Sequence, residues 1–443
     1  SKKQIMPSSS REIVTIQVGH YSNYIGAHLW NNFDIESSMN AYNSSFFNIN
    51  ENKCTPRLIL FDQRGALKEL SNVTDSSSDL SCELDMNTEY IDCSNGNNEK
   101  LNYLKEFDND NKKQEIEPIN FEQSIQSWPD FLRTKSTFNP RSSITLQDHW
   151  HNDNDNSNEQ FDIYHAGVQA YKQQFDQIEE TFHYFLEQCD CLQGFRCLCD
   201  TNDGFSGLYS NIQDYLYEEC PKRPTFTYLS FKPRTNSKHN QTDLINFCLT
   251  LTNSLCTNEM PTIPLSLQYP LESSDQKIHF PSFNYDSTSF YQTSFLLSIV
   301  IQHSLISSTF TYDMLTDRLC PKKNYLLSLS SLLPFDLNSS STLLTYLQNR
   351  DLFSSLINLT PFIKQKMDNE LLACHCFIRG IDQHYLYNPH TTQSTIQFHS
   401  ASDLIDTYFF EQYSSTMISS SSSWKQKLQF QLPDPFTQLN NSS

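Results

Sequence analysis

At 443 residues, with 37% hydrophobic and 13% aromatic side chains, the chain is long enough for two or three domains and an aromatic-rich core. A net charge of −20 and a pI near 5.0 exclude the basic footprint of a nucleic-acid binder and of a protein held on anionic lipid by charge. The most apolar run, residues 295–301, is far shorter than the ~20 residues of a membrane span.

The chain opens SKKQIMPSSSRE, without the apolar stretch of a secretion signal. The thirteen cysteines, an odd number, therefore read as reduced intracellular thiols. The first residues are basic and Ser-containing like a transit peptide. A strand beginning at Glu12 leaves too little room for the amphipathic helix such a peptide needs.

Ile13, Val14, Ile16 and Val18 predict that strand, which Gly19 ends. Ser22 or Asn23 caps a helix in which Ile25, Leu29 and Phe33 recur at helical spacing. PRLILFD (56–62) is a buried-type strand ending in the carboxylate of Asp62. Residues 71–117 carry twelve Asp or Glu against four Lys, eight of the twenty net negative charges, and read as a solvated loop. As an alternative to a passive insertion, that loop is an electrostatic lure for a basic partner. HWHNDNDNSNEQ (149–160) is a second such loop, in which His149 and His151 lack a third metal ligand.

Tyr171, Phe175, Ile178, Phe182, Phe185, Leu186 and Cys189 form one helical stripe ending near Asp190, with Gly194 as its stop. Residues 195–199 follow as a short strand buried on both faces. Then DTNDGFSG (200–207) leads into a helix through Leu208, Ile212, Tyr215 and Leu216. Strand, glycine turn and helix is a geometry in which backbone N–H groups can hold a phosphate. With two glycines and no Lys, a tight turn without a ligand is the alternative.

A strand at 225–231 precedes a helix with Leu244, Phe247, Leu251 and Leu255, and Pro261, Pro264 and Pro270 mark connectors. Residues 290–306 predict a long apolar helix, with Phe295, Ile299, Gln302 and Ile306 near one face, as a spine between two domains. Strands at 326–333 and 371–378 flank a helix near 341–359, and the Ser run at 415–423 is a flexible segment. Cys-x-Cys occurs at 189/191, 197/199 and 374/376. That spacing is not the knuckle of structural zinc, and strand positions two apart share one buried face, where Cys is a small hydrophobe.

Several phrases resemble known families. REIV (11–14) with Gly19, Asn23, IGA (25–27) and Trp30, and CDCLQGF (189–195), are similar to tubulins at matching places. FDQRG (61–65), WPDFLR (128–133) with NPRS (139–142), DGFSG (203–207) and FIRGID (377–382) resemble the Misato family of tubulin-like proteins. The resemblance implies an α/β fold with a Rossmann-like parallel sheet in the N-terminal half, a spine helix and a second α/β domain. It divides the chain into residues 1–135, 136–285 and 286–443. It also implies a guanine-nucleotide site lined by Gly19, His20, Asp62, Gly167, Gly204, Ser206 and Gly207.

Against tubulins, that site departs at every turn. His20, Tyr21 and Ser22 stand where tubulins carry Gln, Cys and Gly, and their bulk narrows a phosphate's approach. Arg64 replaces an acidic residue near the metal, Val168 and Gln169 replace two Asn, and Phe205 replaces a small residue. Asn284-x-Asp286 lies several residues early for the water-positioning pair that tubulins carry on a helix. The expectation is a vestigial or low-affinity site with GTP at most structural, no metal and no catalytic residues. The family implies a role in mitochondrial distribution, morphology and inheritance and in chromosome segregation, in the cytoplasm and at the outer mitochondrial surface. Its partners would be outer-surface proteins, tubulin or chaperonin. The alternatives are an active, self-assembling GTPase and a cytosolic tubulin assembly or spindle factor.

Overall fold

The computed structural model describes residues 12–32, 43–50, 53–63, 66, 125–132, 138–146, 161–234, 241–257, 259–269, 277–280, 284–304, 311–320, 323, 325–331 and 356–362. Arg64, the 71–117 insertion, His149 and His151, the strand and motif at 371–382 with Cys374 and Cys376, and the 415–423 run lie outside them. The described residues fall into two compact units, divided at 266/267, 286/287 and 327/328.

The first unit begins with β1 (Glu12–Val18), α1 (His20–Asn32), the single turn α2 (Asn43–Phe46), the hairpin β2 (Phe47–Asn50) and β3 (Lys53–Pro56), and β4 (Leu58–Gln63). Short 3-10 turns at Trp128–Phe131 and Pro140–Ser142 precede β5 (Ser143–Leu146). Next come α3 (Tyr164–Gln173), α4 (Phe175–Glu187), β6 (Leu192–Asp200), α5 (Phe205–Glu219), β7 (Thr225–Ser230) and α6 (Gln241–Thr252). β8 (Thr262–Leu265), α7 (Phe290–Ser304) and α8 (Tyr312–Leu319) complete it.

Six strands form one wholly parallel sheet in the order β5-β4-β1-β6-β7-β8. All seven residues of β1 are buried, as are the last seven of β6, the pattern of strands covered on both faces. Helices cover each face. Tyr209 of α5 hydrogen-bonds Thr227 on one side of β7, while Tyr228 on the other side reaches Ser304 of α7. At the far end of β1, Glu12 accepts from Arg57 Nη2 at 3.1 Å and from the Cys191 amide at 2.7 Å, which pairs a buried carboxylate with a buried guanidinium.

Four predicted strands are present with nearly the expected bounds, and several local expectations are corrected. Gly194 lies inside β6, paired with Ile13, and is glycine there because a Cβ would overlap the Pro224 carbonyl. The stripe from Tyr171 to Cys189 is two helices. Gln174 leaves helical dihedrals (φ −112°, ψ 16°) and its side chain donates to the Thr145 carbonyl at 2.8 Å, tying the break to β5. Pro264 belongs to β8, where a sheet edge spares it the ladder hydrogen bond it cannot donate. Ile357–Asn358, expected in a helix, forms strand β10, antiparallel to β9 (Ser330–Ser331).

α1 is buried continuously from Tyr21 to Trp30. On one side lies the sheet; on the other an aromatic cluster joins His28 to Phe131 (4.5 Å between ring centroids), Tyr291 (4.9 Å) and Phe295 (5.4 Å). α7 tolerates burial nearly all round because Thr293, Ser294 and Ser298 turn their hydroxyls back to carbonyls three or four residues earlier. Of its expected face, Phe295 and Gln302 are buried and Ile299 is half-buried.

In the second unit, Tyr285 donates its hydroxyl toward the Leu267 and Ile278 carbonyls, packs on Phe280 and is buried. Among the described residues no helix is long and apolar enough to cross a membrane.

Candidate functional site

Register places three residues side by side at the C-terminal edge of the sheet. Val18 pairs with Phe61 of β4 and with Cys199 of β6, so the next residues, Gly19, Asp62 and Asp200, emerge together. That edge is where ligands of open α/β sheets bind. Here it holds two buried carboxylates on either side of the N-terminus of α1.

The first turn of a helix leaves amides without intrahelical partners. In α1, Asp200 takes two of them, those of Tyr21 and Ser22. Its Oδ2 accepts from the Tyr21 amide at 2.8 Å, and its Oδ1 accepts from the Ser22 amide and the Ser22 hydroxyl, each at 2.7 Å. A carboxylate there also faces the positive end of the helix dipole. Gly19, at φ +112°, is shaped to this contact: a Cβ on it would lie 2.5 Å from Cγ of Asp200. Burial pushes the Asp200 pKa up to about 7 and Asp203 adds to the rise, while Ser22, Lys232 and the Tyr21 amide hold it back.

Asp62 is enclosed in the same way. Its Oδ2 accepts from Trp128 Nε1 at 2.8 Å, Asn23 Nδ2 at 3.0 Å and His20 Nδ1 at 3.2 Å, and its Oδ1 from the Gln63 amide at 2.8 Å. The Trp128 turn is held in turn by Asp130, which accepts from the Gln126 and Ser127 amides. Burial alone would lower the His20 pKa, but the Asp62 charge and hydrogen bond, with Asp200 beyond, raise it above its usual value.

The turn from Asp200 to Gly204 is pinned at every residue. The Thr201 amide and hydroxyl both donate to the Ser230 carbonyl. Asn202 accepts from the Lys232 amide at 2.8 Å and donates to Asp243. Asp203 accepts from the Phe205 amide at 3.1 Å and from Lys232 Nζ at 2.8 Å, and the Gly204 amide donates to the Phe161 carbonyl. Asn246 of α6 binds the turn from behind, donating to the Asn202 and Asp162 carbonyls and accepting from the Tyr164 amide. The remaining first-turn amides of α5 are satisfied too: Ser206 donates to the Asp203 carbonyl, Gly207 and Leu208 to that of Gly204.

The sequence-expected residues divide into two groups. Gly19, His20, Asp62, Gly204 and Ser206 gather at this edge. Gly167 and Gly207 are contact points between helices: a Cβ on Gly167 would overlap the backbone at Gly204 and Leu208, and one on Gly207 the Tyr164 carbonyl. Residues 166–169 lie within helix α3, and Gln169 bonds His165 on its outer surface. The Tyr21 ring does not narrow the turn; it is buried against Phe290 at 5.2 Å between centroids. Phe205 likewise packs on Phe161. Sequence reasoning took Ser22 for a helix cap and for bulk in the first turn, met Asp200, Asp203 and Trp128 only as members of motifs, and passed over Lys232 and Asn246. The signal available for Asp200 was the one used for Asp62, a carboxylate at the end of a buried strand.

A guanine nucleotide would need free amides and uncompensated positive charge for its phosphates. The Tyr21 and Ser22 amides of α1 and the first amides of α5 already serve the chain's own oxygens, and Lys232 is paired with Asp203. Those amides and that ammonium are thus committed within the chain. Among the described residues no group of three or more His, Cys, Asp or Glu is placed to hold a metal ion. Asn284 and Asp286 lie outside any helix. Cys197 and Cys199 are buried in β6, and burial pushes the Cys197 thiol up to about 12. Cys191 is exposed in the turn before that strand, so the 189/191 pair is not on a strand.

Six parallel strands between two helical layers, with glycine turns opening helices at the carboxyl edge, define a tubulin-like α/β protein, and residues 118–310 match the family model described as Tubulin domain. Residues 11–127 match the Misato Segment II tubulin-like domain. Protein misato homolog 1 of Mus musculus is 26% identical over 425 residues, covering 85% of this chain and 74% of that protein. Its counterpart in Homo sapiens is 27% identical over 449 residues (88% and 76%), and Protein misato of Drosophila melanogaster 24% over 410 (80% and 70%). The chain belongs to the Misato family of tubulin-like proteins.

Proposed function

We propose that this chain is a non-enzymatic, tubulin-like protein that organises mitochondrial distribution, morphology and inheritance. It acts in the cytoplasm and at the outer mitochondrial surface through protein partners, not through nucleotide turnover. The observation that carries the non-enzymatic part is the surrender of the Tyr21 and Ser22 amides to Asp200, at the place where the family resemblance puts a phosphate. Phosphoryl transfer depends almost entirely on positioning and charge neutralisation. A turn filled by carboxylates offers a phosphate neither. The mitochondrial part rests on family membership alone.

The test is the nucleotide content of natively purified protein, released by acid and quantified by chromatography, with and without added GTP and Mg²⁺. No guanine nucleotide and no thermal stabilisation by GTP is the expected result; one nucleotide per chain would overturn the reading in favour of a working GTPase. For the cellular part, depletion is expected to collapse the mitochondrial network, and capture from extract to recover outer-membrane proteins. Recovery of tubulin and chaperonin with unchanged mitochondria would favour an assembly factor.

A further inference from the structure

We infer that Asp200 is a tethered stand-in for an anionic ligand: its carboxylate closes the N-terminus of α1 as a phosphate oxygen pair would, so that the sheet edge is complete without nucleotide. The inference rests on the reading above that no nucleotide is held, and adds what replaces it.

Three features of the geometry converge. Both carboxylate oxygens are used, one on each of two successive amides, with the Ser22 hydroxyl as a third donor. The turn is moulded to that carboxylate, since Gly19 leaves no room for a Cβ beside it. The residue is also held in place from the other side, through Thr201 to the end of β7 and through Asn202 and Asp203 to Lys232. Asp203 repeats the arrangement on the next helix, accepting from the Phe205 amide. One four-residue stretch thus supplies a carboxyl group to each of two helices that open at this edge.

Shortening Asp200 would vacate the α1 amides while leaving the turn anchored by its neighbours. Asp200→Ser and Asp200→Asn are compared with the parent chain by thermal unfolding in pyrophosphate, in GTP with Mg²⁺, and in sodium chloride of matched ionic strength. Pyrophosphate is expected to raise the midpoint of Asp200→Ser by several degrees, as hundredfold saturation raises a folding constant about a hundredfold. The parent chain and Asp200→Asn, whose side chain still occupies the turn and accepts from one of the two amides, are expected to show no response beyond that to salt.

If Asp200→Ser does not fold alone, refolding yield in pyrophosphate against chloride reads the same property; a gain supports the inference and equal yields overturn it. A folded Asp200→Ser that ignores pyrophosphate, beside a parent chain free of nucleotide, overturns the role of Asp200 and leaves the non-enzymatic reading standing. Guanine nucleotide bound to the parent chain overturns both.

Discussion

Replacing Asp200 by Asn keeps the shape of a buried side chain and removes its proton equilibrium. In the folded protein burial holds this carboxyl's pKa at about 7, against 3.8 for the ordinary group. Between those values the folded state binds more protons than the unfolded one, so the stability this group contributes is fully present below about pH 4 and is lost as pH rises toward 7. A gap of about 3 units corresponds to about 4 kcal/mol in all, of which roughly 2 kcal/mol falls between pH 5 and pH 7. Asn has no such slope. His20, also raised, has the same sign but is present in both proteins and largely cancels in their difference. Thermal unfolding of both chains across this pH range is therefore expected to show Asp200→Asn gaining on its parent by ~4–8 °C as pH rises. A difference that stays flat would mean that the Asp200 carboxyl ionises as an exposed one does, and would refute its enclosure.

Asp62→Asn is expected to drop the His20 pKa below its usual value, read from the ring resonances by NMR, because burial then acts without its main opponent. Gly167→Ala is expected to cost about 3 kcal/mol in urea unfolding, since its Cβ meets backbone and not a yielding side chain, with α3 amides losing exchange protection first. Maleimide labelling of the native chain, mapped by mass spectrometry, is expected to mark Cys191, Cys248 and Cys256 and to spare Cys197 and Cys199. Labelling of the buried pair under native conditions would show the sheet opening locally.

The sheet was legible because strands buried on both faces are nearly continuous apolar runs, as in residues 58–61 and, broken only by Thr15 and Gln17, 13–18, and because Gly19 and Gly204 mark where such strands give way to helices. The break at Gln174 was not, because it depends on a hydrogen bond to β5 that no local periodicity encodes. Nor was Pro264 as a strand residue, since only the strand order reveals that its position is an edge. The site was half visible. Its glycines and Asp62 stand in recognisable phrases. The group that completes it is 178 positions from the Ser22 amide it binds. Ser22 and Asn23 looked like helix caps and lie within the helix; the cap is Asp200, which read as one more polar residue in a turn.

β1 sits between β4, which follows it closely in sequence, and β6, which does not. β4 ends at Gln63 and β6 begins at Leu192, an interval that a ribosome working at ~5–20 residues per second takes roughly 7–25 s to cross. Throughout it a nascent chain has made one side of its central strand and has nothing to lay against the other. An apolar strand with an open ladder is a template for any passing strand. The parallel order that buries β1 so completely in the finished protein thus makes its synthesis the hazardous stage, when a holdase has most to protect.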